Sequence, residues 1–202
     1  MPNRLISSLA FVQMILLLPA GSPAARRKLY IGQFPLSVGS RWVYCIGDSV
    51  RHRTDTAYVR IIGSRTFPDG KKAMLWRYRI QGITDTDYVV RSEDTITFYR
   101  DANRQLVRVR FVFPLVPGKQ WSVNPPGSTE VHRIMTLATP AGVFRHTFKV
   151  ERQPAVRNYV GGTTYWLEPR VGIVQIHRKS IDTINNQEED ALWQLISWST
   201  TR

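Results

Sequence analysis

Apolar and polar side chains alternate along most of this chain with a period of two. Met74, Trp76, Tyr78 and Ile80 fall on one face of their segment, while Arg77 and Arg79 project from the other. Successive side chains of a strand point to opposite faces, so this pattern predicts a half-buried β-strand. Val107, Val109, Phe111 and Phe113 alternate in the same way with Arg108, Arg110 and Val112. Phe144, His146, Phe148 and Val150 alternate with Arg145, Thr147 and Lys149, which puts His146 on the apolar face. Further strands are expected at Ala57 to Ile62, Asp87 to Arg91, Thr95 to Arg100, Thr129 to Leu137, Thr163 to Leu167, Gly172 to Arg178 and Leu192 to Trp198. The sequence has no long stripe of the 3.6-residue period.

Turn chemistry separates these runs. Phe67-Pro68-Asp69-Gly70 combines a residue with fixed φ and a permissive glycine, which predicts a chain reversal, and Thr139-Pro140-Ala141-Gly142 does the same later. Asp101-Ala102-Asn103 is a third turn, and Gly161-Gly162 reads as a hairpin tip. The polar stretch from Ile181 to Asp190 reads as a long connection before a final strand at 191–199.

A nine-residue box occurs twice. Phe34-Pro35-Leu36-Ser37-Val38-Gly39-Ser40-Arg41-Trp42 and Phe113-Pro114-Leu115-Val116-Pro117-Gly118-Lys119-Gln120-Trp121 share Phe-Pro-Leu, Gly and Trp at matching places. The proline removes a ladder donor and the glycine permits a tight bend before the Trp begins a strand. The reading is therefore one all-β domain at 34–202, built from two sequential antiparallel meander repeats, 34–112 and 113–180. Each repeat supplies about four strands, and the strand near Trp193 closes an edge. Eight or nine twisted strands cannot lie flat, so the sheet curves strongly into a half-barrel, barrel or sandwich.

The repeated box, Thr139-Pro140-Ala141-Gly142-Val143-Phe144 followed by Phe148-Lys149-Val150, and Tyr165-Trp166 with Val171-Gly172-Ile173-Val174 together resemble a family of exported bacterial β-rich proteins of unknown function, many of them lipoproteins. The resemblance spans Phe34 to Arg178 and implies an envelope location and an antiparallel fold. It implies no activity. The chain departs from that family in having no lipidation cysteine directly after its apolar N-terminal run, so lipid anchoring does not carry over.

That run, Leu9 to Ala20, follows Arg4 and precedes Ser22-Pro23-Ala24, a small-x-small pattern that predicts a signal peptide at 1–24 cleaved near Ala24. It is about a dozen residues long, against roughly twenty for a membrane-spanning helix, so no transmembrane span is expected after its removal. A short basic lead, 25–33, follows. The expected location is periplasmic or secreted. Cys45 is the single cysteine, so no disulfide forms within the chain, and its place after Trp42-Val43-Tyr44 predicts a buried strand residue.

The formal net charge is +13, and setting aside Arg4, Arg26, Arg27 and Lys28 leaves +9 for residues 29–202. Only six of the 28 basic residues are lysine. Guanidinium groups grip phosphate and carboxylate bidentately, which favours anionic glycan or lipid partners; a compositional preference for arginine spread over a solvated surface accounts for the same excess. Nothing predicts specific nucleic-acid recognition.

Catalytic and metal-binding motifs are missing. His52, His132, His146 and His177 form no His-x-His or His-x-x-x-His pair, and no nucleophile elbow or phosphate-binding glycine loop is present. No cofactor, metal site or catalytic residue is assigned. The leading reading is a noncatalytic envelope protein that binds an apolar or anionic ligand, or an envelope protein partner, through a basic face of Arg77, Arg79, Arg108, Arg110, Arg145 and Lys149. Two alternatives stay open: a secreted hydrolase or lyase using His146 or His177 as base, and a structural subunit that pairs through its final, edge-forming strand.

Overall fold

A computed structural model describes residues 28–122, 127–155 and 159–201. The expected signal peptide lies outside the described residues.

The molecule is all-β, a single twelve-stranded antiparallel sheet curled into a nearly closed barrel. The first half holds β1 (Arg41–Asp48), β2 (Arg53–Thr66), β3 (Lys72–Ile80), β4 (Ile83–Arg91), β5 (Thr95–Tyr99) and β6 (Val107–Val112). The second holds β7 (Gln120–Ser122), β8 (Gly127–Thr139), β9 (Gly142–Pro154), β10 (Tyr159–Glu168), β11 (Gly172–Asp182) and β12 (Gln187–Ser199). Spatial order is β6-β5-β4-β3-β2-β1-β12-β11-β10-β9-β8-β7. Each half is thus a six-stranded meander, longer than the four strands expected. The chain starts in the middle of the sheet, runs out to one edge, crosses to the other edge and returns.

That order corrects two expectations about the end of the chain. The final strand is central: β12 pairs with β1 on one side and β11 on the other, so it offers no free edge for a neighbouring subunit. The stretch from Ile181 to Asp190 is mostly strand, with Asp182 opposite Gln187 and a turn of only 183–186 between them. Its polar residues extend a hairpin at the barrel rim, where both strand faces meet solvent, so polarity alone does not mark a loop. Gly161-Gly162 also lies inside a strand, opposite Ser180 and Lys179. A Cβ at Gly161 would come within 2.1 Å of the Lys179 carbonyl oxygen, so close backbone approach explains this glycine.

Around their glycines the two boxes share one backbone hydrogen-bond pattern, whereas the Phe-Pro peptide is cis in the second box and trans in the first. Gly39 N–H donates to Ile61 O, Ile61 N–H to Ser40 O, and Ser40 N–H to Ser37 O. In the second box Gly118 N–H donates to Val131 O, Val131 N–H to Lys119 O, and Lys119 N–H to Val116 O. Both glycines have positive φ, +93° and +86°, the left-handed region in which a side chain is strained. Phe34 and Phe113 are both buried, with ring centroids 6.4 Å apart, and Leu29 pairs with Leu115 beside them.

This end of the barrel is filled by aromatic side chains. Phe34, Phe98, Phe111 and Phe113 cluster edge to face or tilted, and Trp42 stacks on Trp76 at 4.5 Å. Such contacts add about 0.5–1.5 kcal/mol each to the area they bury. Trp42 is fully enclosed and donates to Val171 O at 2.7 Å, and the Tyr44 hydroxyl donates to Ile173 O at 2.7 Å, tying β1 to the start of β11 across the interior. Because Trp42, Tyr44 and Ile46 take the inward face of β1, Cys45 falls on the outer face, half-buried rather than buried.

Candidate functional site

Next to these aromatic side chains the interior turns polar. Asp87 on β4 and Tyr78 on β3 follow their strand alternation inward, and Arg178 on β11 joins them. Arg108 reaches the same place by a different route. Phe98 pairs with Val109 and Tyr99 with Val107, so Arg108 is the extra residue of a β-bulge and its side chain turns into the barrel. Alternation alone placed it outside with Arg110. Its guanidinium contacts both Asp87 oxygens at 2.9–3.1 Å and donates to the Tyr78 hydroxyl at 2.7 Å, with side-chain exposures of 18% for Arg108 and 5% for Asp87. The Tyr78 hydroxyl in turn donates to Asp85 at 2.7 Å.

Burial raises the Asp87 carboxyl above the usual carboxylate range, against the opposing pull of Arg108. Tyr78 is pushed up to about 12 by burial and by its bond to Asp85. These groups, with Tyr44, Trp76 and Trp193, surround a cavity of about 60 Å³. That is room for a few waters or one small polar group, well below the roughly 300 Å³ of ordinary small-molecule sites. An apolar ligand of lipid size does not fit it.

A second feature lies on the outer wall of β1, β2 and β3. Arg41 pairs in register with Arg60, and Arg60 with Arg77, so three exposed arginines stand side by side on neighbouring strands about 4.8 Å apart. None of the three has a carboxylate within ion-pair distance among the described residues. Like charges directly opposite each other destabilise a sheet, so this row costs stability. Arg79 stands two residues further along β3, with its guanidinium 5.2 Å from the centre of the Tyr58 ring. The four arginines rim a shallow depression of about 480 Å³ floored by Val43, Tyr58 and Ile62.

The six expected basic residues therefore do not form one stripe. Arg77 and Arg79 belong to the outer wall just described. Arg108 is inside the barrel, and Arg110 is held by Thr97 near the β6 edge. Arg145 and Lys149 are on β9, six strands away from β3 in the sheet, and Lys149 is paired with Glu151. Arg41 and Arg60 were missed. Arg60 alternates outward between Ala57 and Ile61, and Arg41 follows the bend of the first box; their juxtaposition emerges only once strand register is known.

The histidines differ from expectation as well. His146 is exposed rather than core, because the β8–β9 register shifts between Met135 and Leu137 and its side chain no longer follows Phe144 and Phe148. His177 and His132 have carboxylate partners, Asp190 and Glu151, each at 2.8 Å. His177 borders an open groove on the outside of β9, β10 and β11. No group of three or more potential metal ligands exists among the described residues.

No protein-family model matches the chain, and no curated protein matches it. Two solved structures align with the chain. One, from Parabacteroides distasonis ATCC 8503 and described as a lipoprotein, aligns with a TM-score of 0.50 at 12% identity, covering 82% of this chain and 97% of that one. The other, an exported protein with a YmcC-like fold from Bacteroides fragilis NCTC 9343, aligns at 0.44 and 13% identity, covering 86% and 100%. At 12% identity the first likeness shows a shared architecture and leaves activity to the residues themselves.

Proposed function

We propose that this chain is an exported, noncatalytic binding protein of the cell envelope that holds an anionic ligand on the outer wall of β1, β2 and β3. The in-register row of Arg41, Arg60 and Arg77 carries the reading. A sheet that tolerates three adjacent guanidinium groups without carboxylates gains from an anion that bridges them, and the depression they rim is of small-molecule size. Export is supported by the apolar run and the Ser22-Pro23-Ala24 pattern. The ligand class is a phosphate- or carboxylate-bearing glycan or lipid headgroup.

Retention on an anionic matrix tests it. Wild-type protein elutes at a salt concentration that falls for R60Q/R77Q and stays put for R145Q/K149Q, which removes the same charge from the opposite wall. Equal falls for both pairs would mean that net charge alone governs retention, and the reading would be lost.

The His177–Asp190 pair beside its groove is the observation that favours a hydrolase or lyase instead. Turnover of an envelope polymer that disappears in H177A and persists in R60Q/R77Q would establish that second reading.

A further inference from the structure

Charge is sorted by face across the first four strands. Trp42, Tyr44, Ile46 and Asp48 take the inward positions of β1, and register carries their rows on to β2, β3 and β4. These strands contain four carboxylates, Asp48, Asp55, Asp85 and Asp87, and all four fall on inward rows. Asp55 pairs with Ile46, Asp85 with Tyr78 and Asp87 with Trp76. Two outward rows read instead Arg41-Arg60-Arg77-Thr86 and Val43-Tyr58-Arg79-Thr84. The outer wall of β1, β2 and β3 thus presents four exposed arginines and no acid. None of the four has a carboxylate within ion-pair distance among the described residues.

The layout suits a charged surface better than one small anion. A phosphate or carboxylate engages one or two guanidinium forks, so four of them in two adjacent rows exceed what a single group uses. They also rim a shallow depression rather than converge in a closed pocket, and its floor is Val43, Tyr58 and Ile62. Tyr58 is 50% exposed, with the Arg79 guanidinium 5.2 Å from its ring centre. Cations set around a half-exposed tyrosine and aliphatic side chains match a bilayer interface, where phosphates overlie acyl chains. Tyrosine is enriched at that level because its ring is apolar and its hydroxyl is wet. An anionic leaflet attracts basic side chains that come within a Debye length of it.

We propose that the outer wall of β1, β2 and β3 docks on an anionic phospholipid surface, with Arg41, Arg60, Arg77 and Arg79 on the headgroup phosphates and Tyr58 in the interface beneath them. The inference rests on the outer-wall binding proposed above and names its ligand as the lipid headgroup layer.

Sedimentation of the exported protein with vesicles of phosphatidylglycerol and phosphatidylcholine in equal parts, compared with phosphatidylcholine alone, tests it. Binding to the mixed vesicles at low ionic strength, release by added salt and no binding to phosphatidylcholine are expected. A basic residue near an anionic surface contributes about fivefold, so R60Q/R77Q should weaken binding about twentyfold. Y58A leaves the charge unchanged and should weaken it several-fold. R145Q/K149Q removes two charges from the opposite wall and should change it less than about twofold, because that wall lies beyond a Debye length from the lipid. Arg60, Arg77 and Tyr58 are exposed, so these variants should keep the fold, which thermal unfolding checks. No binding to the mixed vesicles, equal losses for the two charge pairs, or unchanged binding in Y58A overturns the docking surface. Retention on a polygalacturonate matrix that R60Q/R77Q abolishes, with no vesicle binding, overturns lipid docking and keeps the outer-wall reading; absence of both ends both.

Discussion

At one junction between the halves, β1 and β12 pair along eight residues of β1, from Arg41 opposite Ser199 to Asp48 opposite Ala191. At the other, β6 and β7 end the sheet on either side, and side chains from β7 and β9 reach β6: Trp121 Nε1 donates to Arg110 O at 3.1 Å, and Arg152 Nη1 to Arg108 O at 3.0 Å. The matching boxes place Trp42 and Trp121 at equivalent points, yet β1 runs on for six residues past its Trp and β7 for one. In sequence, Pro125 and Pro126 stand where the first half has Ile46 and Gly47. Proline has no N–H to give to a ladder, so the second copy lacks donors where the first pairs with β12. The comparison teaches that a barrel can be sealed by backbone on one side and capped by side chains on the other. On the capped side two carbonyls of β6, those of Arg108 and Arg110, are satisfied by side chains, which helps protect the edge and places a charged group next to the interior.

The largest expected effect separates the two tryptophans. Trp42→Ala removes a fully enclosed ring from the sealed side and should cost about 4 kcal/mol in denaturant unfolding, whereas Trp121→Ala on the capped side should cost about 1–2 kcal/mol. Equal costs would mean that the capped junction is as firmly built as the sealed one.

Asp87→Asn comes next, at about 3 kcal/mol near neutral pH, because it strips Arg108 of its charge partner. The pH dependence has a definite sign. A carboxyl raised in the folded state binds its proton more readily there than in the unfolded chain, whose value is near 3.8. Wild-type stability should therefore rise relative to D87N as pH falls through the folded-state pKa, with the gain complete below the unfolded one. A relative loss on acidification would show that Arg108, rather than burial, dominates the carboxyl.

The smallest effect concerns the outer row. Arg60→Gln relieves two like-charge neighbours and should raise stability by about 0.5 kcal/mol at low ionic strength, with the difference shrinking as salt is added. A stability loss in R60Q would show that the row is already compensated.

Much of this architecture is legible in the sequence, for a local reason. Period-two alternation, Pro-Gly turns and the repeated box are short-range signals, and they locate the strands and the two-part meander. What they miss is set at long range. Arg108 leaves the expected outer face because one extra residue in β6 breaks the alternation, and β12 sits at the centre because its partners, β1 and β11, are chosen by closure of the whole sheet rather than by its own pattern. The outer wall was half visible, with Arg77 and Arg79 read from alternation and Arg41 and Arg60 joined to them only by register.

Hydrogen–deuterium exchange, read segment by segment on the folded protein, tests the asymmetry of the two junctions most directly. Arg41–Asp48, paired on both sides, should be among the slowest-exchanging segments, while Val107–Val112, paired only with β5, should show a fast-exchanging subset of amides on its outer edge. Uniformly slow exchange across Val107–Val112, matching that of Arg41–Asp48, would mean that the barrel closes through backbone on both sides and would contradict the account.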